Sequence, residues 1–98
     1  MHVLTVCYGH PTDPGAFDAH YTSTHVPLAE KIPGMSSFTY RHVASLDASP
    51  PPYYLIAELS FPSQEALGAA MSSPEGRAAS ADVPNFASGG VTMFVAHD

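Results

Sequence analysis

The chain has 98 residues, a formal net charge of −6 and only three basic side chains, Lys31, Arg41 and Arg77. That balance argues against nucleic acid or anionic membrane as a partner, and the length makes one small domain, 1–98. A lone cysteine, Cys7, leaves no internal disulfide, and no apolar run approaches the ~20 residues of a membrane span, so the expectation is a soluble, cytoplasmic protein with no signal peptide.

Met1 to Tyr8 alternates β-formers and stops at Gly9-His10-Pro11, the signature of a first strand. Asp13-Pro14 reads as an N-cap with proline at the first helical position. The helix it opens runs toward Lys31 and ends before Pro33-Gly34, with Pro27 bending it. Phe17, His20, Tyr21, Thr24, His25 and Leu28 stand at the spacing of a core-facing stripe. In α geometry Tyr21 and Leu28 lie near its centre, while His20 and His25 flank it about 140° apart. So much titratable chemistry on an inward face points to a cavity lining.

Ser36 to Leu46 is a second strand, followed by the loop Ser49-Pro50-Pro51-Pro52 and a third strand from Tyr53 to Phe61. Ser63 caps a helix through Met71, and Ser73-Pro74-Glu75 restarts a second piece through about Asp82. A loop holding Pro84, Asn85, Gly89 and Gly90 leads to a last strand, Val91 to His97. The order βαββαβ predicts an α+β, ferredoxin-like fold with a four-stranded antiparallel sheet. Both faces of the first and last strands are largely apolar, yet two helices cover only one face of such a sheet. The other face needs a partner, most simply a second copy in a homodimer, the alternative being an apolar-surfaced monomer. Glu58 falls on that face, with Arg41 as its expected partner.

The run Tyr8-Gly9-His10-Pro11-Thr12-Asp13-Pro14, then Phe17-x-x-His20-Tyr21-x-x-x-His25-Val26-Pro27-Leu28, then Pro33-Gly34, resembles the EthD family, named for a protein associated with ethyl tert-butyl ether degradation. The resemblance covers nearly the whole chain and implies a dimeric α+β barrel with a pocket between sheet and helices in each protomer. Relatives of that barrel include monooxygenases, isomerases, cyclases, decarboxylases and haem-degrading enzymes, so the fold alone selects no reaction.

The side chains narrow the chemistry. His25 is the candidate acid or base, because imidazole both takes and gives protons near neutrality. Tyr21, four residues earlier, can donate to a developing enolate oxygen, with Tyr40 and His20 as further orienting groups. Tyr40, His42 and Phe38 share a strand face that converges on the pocket if it meets the first helix. Tyr8 closes a rim, with Phe17, Met71 and Phe86 as apolar wall. Each also has a structural reading: His20 tied to a loop carbonyl, Tyr21 packed with a satisfied hydroxyl, the others as core filling.

No cofactor is expected. His20 and His25 are five apart and diverge in an α-helix, with no Cys or carboxylate placed to complete a metal site with them. The later helix lacks the histidine that the resemblance to haem enzymes of this barrel would imply, and no glycine-rich strand-turn-helix offers a dinucleotide site. Two functions stay open. One is a cofactor-independent enzyme acting on a small hydrophobic or aromatic carbonyl compound, by proton transfer (isomerase, cyclase or decarboxylase) or by monooxygenase-type oxidoreductase chemistry. The other is a non-catalytic binding dimer that supports a partner oxidase such as an ether-degrading cytochrome system.

Overall fold

Antiparallel pairing of four strands organises the chain. The computed structural model describes residues 1–98. The strands are β1 (His2–Tyr8), β2 (Ser37–His42), β3 (Leu55–Phe61) and β4 (Val91–His97), in the spatial order β2-β3-β1-β4. This is the ferredoxin-like arrangement. Register places Leu4 opposite Leu59 and Val95, Val6 opposite Ala57 and Met93, and Tyr8 opposite Leu55 and Val91. Phe38, Tyr40 and His42 pair with Leu59, Ala57 and Leu55. Period-two alternation puts all of these on one sheet face, the face the helices cover. Each large side chain fully buried there contributes about 2 kcal/mol, and Tyr8, Leu55 and Phe61 are among the most buried.

The helices start where the sequence predicts. Asp13 caps α1 (Pro14–His20) through the Ala16 N–H, Ser63 caps α3 (Gln64–Ser72) through that of Ala66, and Ser73 caps α4 (Pro74–Asp82) through that of Gly76. A short 3₁₀ turn, Val83–Asn85, follows α4. No helix is long and apolar enough to cross a membrane.

Three boundaries differ from expectation. β2 ends at His42 rather than Leu46: Val43 still donates to the Tyr54 carbonyl, but Leu46 is fully exposed and the three prolines that follow offer no donors. β3 starts at Leu55, not Tyr53.

The third difference lies in the first helix. A bend at Pro27 was expected, but the residues before it, Tyr21–His25, form a π turn between α1 and α2 (Val26–Glu30), with the Val26 N–H donating to the Tyr21 carbonyl five residues back. Pro27 explains the turn. It has no N–H to give, and its ring presses on the carbonyl four residues earlier, so the helix widens instead of breaking. The hydroxyls of Thr22 and Ser23 bond the carbonyls of Asp18 and Ala19 at 2.8 and 2.6 Å, the back-bonding that often accompanies a bent helix.

The sheet face carrying Val3, Cys7, Ile56, Glu58 and Phe94 has no helix against it. On the helix side, β4 also extends past its cover: Met93 is 56 % exposed and Val95 43 %, and Phe94 on the open face 50 %. No ion pair joins Glu58 to Arg41.

Candidate functional site

A buried carboxylate that closes α4 organises the site. Asp82 accepts from His20 Nε2 at 2.8 and 3.0 Å, from His25 Nδ1 at 3.0 Å and from Asn85 Nδ2 at 3.1 Å. The expectation that His20 and His25 diverge is therefore corrected. One extra residue in the π turn takes up about 100° of their ~140° separation, and both rings reach the same group. The Phe86 ring seals the trio, 4.8 Å from that of His25 and stacked at 5.3 Å on that of His20. No three His, Cys, Asp or Glu side chains are disposed to hold a metal ion.

Burial alone would raise the Asp82 carboxyl, but the hydrogen bonds from His20, Asn85 and His25 outweigh it and hold the group below its ordinary value. A carboxylate only accepts, so His25 carries its hydrogen on Nδ1 and His20 on Nε2. Burial pushes His25 below its ordinary value, against the opposing pull of Asp82. The ring is thus held neutral, its lone pair on Nε2, which makes no bond to protein. That is the state of a ready general base.

His25 lines an apolar cavity of about 40 Å³ between sheet and helices. Its floor is Leu4, Val6 and Tyr8 with Ala57, Leu59 and Phe38; its roof is Ala29, Ile32, Ala79 and Val83; Met71 and Met93 flank it. The volume accommodates a few waters and is well below the 300–1,000 Å³ of a pocket for a drug-sized ligand. Tyr21 also lines it, and its buried hydroxyl has no hydrogen-bond partner. Burial, then the neighbouring phenols of Tyr8 and Tyr40, raise this hydroxyl far above its ordinary range, so it stays a donor. Tyr21 packs in the core as expected, but its hydroxyl is not satisfied there.

The other candidates divide. Tyr8, Phe38 and Met71 line the cavity. Tyr40 packs edge-on against Tyr21 at 5.1 Å and remains 38 % exposed. His42 does not converge on the cavity: its ring bonds Asp18 at 3.0 Å, and the same oxygen takes the Tyr54 hydroxyl at 2.9 Å. Phe17 sits behind the site, packed among Tyr8, Tyr21, Tyr54 and Phe86. His20 and Phe86 lie at a separate outer groove of about 350 Å³, shared with Thr12, Asn85 and Ser88. His20 is tied to Asp82, not to a loop carbonyl.

Asp82 is the residue that sequence reading missed. A signal was present: an acid in the last turn of a helix opposes the macrodipole, so an alanine-rich helix ending on aspartate calls for a partner elsewhere. Its partners stand 57 and 62 residues away, beyond the reach of any local pattern.

Comparison with known proteins agrees with the motif. The model of the EthD domain matches residues 9–90. An uncharacterized 11.0 kDa protein from the thcB–thcC intergenic region of Rhodococcus erythropolis is 53 % identical over 94 residues, 96 % of this chain and 91 % of that one. The crystal structure of an EthD family protein from Bacillus halodurans superposes with a TM-score of 0.93 at 33 % identity, covering 100 % of this chain and 98 % of that one. A dimeric ferredoxin-like protein of unknown function from Jannaschia shares the fold, with a TM-score of 0.72 at 16 % identity and full coverage of both chains. The chain belongs to the EthD family.

Proposed function

We propose that this protein is a cofactor-independent enzyme that moves a proton on a small hydrophobic or aromatic carbonyl compound. One observation carries the reading: His25, its Nδ1 fixed by Asp82, and an unpartnered Tyr21 hydroxyl line the same apolar cavity, with ring centroids 5.2 Å apart. His25 Nε2 removes the proton beside the carbonyl, and Tyr21 Oη donates to the oxygen as negative charge develops there. Apolar walls strengthen both interactions by excluding water. Return of the proton to another carbon gives an isomerase outcome; attack of the enolate carbon on a second carbonyl of the same molecule, the proton passing to the new alkoxide, gives a cyclase one; addition of the enolate to dioxygen, with loss of water from the resulting hydroperoxide, gives a monooxygenase-type one.

The cavity admits such a compound when Met71 and Met93 move. Both are flexible, polarizable side chains, and Met93 stands on the uncovered strand β4. The working form in this reading is a cytoplasmic homodimer, supported by the exposure of Met93, Phe94 and Val95 on β4 and by the dimeric state of the Jannaschia protein that shares the fold.

The test is deuterium uptake from D₂O by a panel of enolisable aryl ketones, acetophenone first, read by NMR. The wild type accelerates exchange of at least one ketone, and His25→Ala lowers the rate by about 10²-fold or more. Ketones that perturb the Met71 and Met93 methyl signals yet exchange no faster than in buffer would overturn the enzymatic reading in favour of the accessory, ligand-holding one.

A further inference from the structure

His20 has no place in the chemistry above, yet it occupies the other side of the carboxylate that fixes His25. Its ring is 30 % exposed against 8 % for His25 and 7 % for Asp82. It opens on the outer groove with Thr12, Asn85 and Ser88, while His25 opens on the cavity. Its Nδ1 makes no bond to protein. Two imidazoles in two compartments are thus bridged by a single buried anion.

We infer that His20 and His25 share one proton's worth of charge across Asp82, so that protonating His25 in the cavity expels a proton from His20 into the groove. A buried carboxylate balances one imidazolium; a second leaves an uncompensated positive charge out of water. The other ionisable groups around the trio are the phenols of Tyr8 on β1, Tyr21 in the π turn and Tyr40 on β2 and, along the groove, Asp13, whose Oδ1 is engaged by the Ala16 N–H as the cap of α1. Asp82 is the one carboxylate bonded to either ring. Protonation of one ring is therefore felt by the other through the carboxylate they share.

The proton balance closes without breaking a hydrogen bond. A substrate proton arrives at His25 Nε2. His25 keeps its Nδ1–H on Asp82, and His20 keeps its Nε2–H on the same carboxylate. A protonated His20 releases its Nδ1 hydrogen to groove water, and the net charge of the trio is unchanged. When His25 returns its proton to product, His20 takes one back. His20 is a positioning residue here: it never meets the substrate, and it sets how readily His25 holds a proton. Its part in turnover rests on His25 being the base; its part in titration does not.

The experiment is a ring-nitrogen NMR titration of ¹⁵N-histidine-labelled protein without ligand, on the wild type, His20→Gln and His20→Lys. In the wild type the His25 curve is two-stepped, its second step tracking His20. His20→Gln removes the competing charge and gives a single His25 step about one pH unit higher, while His20→Lys fixes the charge and moves it lower. Structural damage would shift both variants the same way. His25 curves that superimpose in all three folded proteins overturn the inference. Failure of the proposed activity is read separately, as wild-type protein that titrates in coupled steps but exchanges no ketone deuterium.

Discussion

His25 Nδ1 and Asp82 Oδ2 stand 3.0 Å apart across 57 residues of sequence, joining the π turn of the first helical rod to the last turn of α4. The bond therefore serves the fold as well as the site. Replacing Asp82 with alanine strands two imidazole donors and the Asn85 amide, and a loss of about 3 kcal/mol is expected in urea unfolding at pH 7.5. A loss under 1 kcal/mol would mean that water replaces the carboxylate at little cost.

The same pair fixes a pH dependence. Burial lowers His25 in the folded protein, so as pH falls below about 6.5 the unfolded chain binds the proton first and stability declines until the folded-state value is passed. Asp82, also lowered, contributes stability that is present above about pH 3.9 and disappears as pH falls through its folded value. Urea midpoints should fall between pH 7.5 and 5 in the wild type, with a flatter profile in His25→Gln. Equal slopes in the two proteins would show that His25 is not the group responsible.

Tyr21→Phe separates chemistry from packing. The hydroxyl has no partner, so its removal should leave stability unchanged or raise it by up to about 1 kcal/mol. Ketone exchange should nevertheless fall by about tenfold or more. Unfolding and exchange are measured on the same preparation, and full exchange in the variant would remove Tyr21 from the mechanism.

Gly9 tests the turn that follows β1. Its N–H bonds the Gly90 carbonyl at 3.0 Å, and a Cβ there would collide with the backbone carbonyl of Gly89. Backbone cannot swing aside as a side chain does, so Gly9→Ala should cost about 2 kcal/mol. Thermal unfolding reads the change as a drop of several degrees.

Phe94, half exposed on the uncovered sheet face, tests assembly. Light scattering should give twice the chain mass for the wild type and the chain mass for Phe94→Glu, because a buried unpaired carboxylate opposes the interface. A wild-type monomer would refute the homodimer.

The fold was legible because its signals are local. Asp13, Ser63 and Ser73 announce helix starts, alternation marks β1 and β3, and the motif from Tyr8 to Gly34 carries the family. Tyr8 and Phe38 could be placed at the cavity from the strand period, Tyr21 and His25 from the helical stripe, and Met71 as an adaptable apolar wall. His42 was misplaced because its capture by Asp18 and Tyr54 depends on how the loop after β2 returns. The two histidines were separated because ideal α geometry was assumed through a segment that Pro27 forbids from keeping it, and Asp82 was missed because it meets them only across 57 and 62 residues.

The π turn also decides what a change in helix length would do. Deleting one residue from Thr22 to Thr24 would bring the two histidines to i, i+4, about 40° apart in ordinary α geometry, so both rings would still face Asp82. The extra residue is thus an insertion that the helix absorbs without disturbing the trio, and histidines spaced by four or by five at this place are equivalent in any relative.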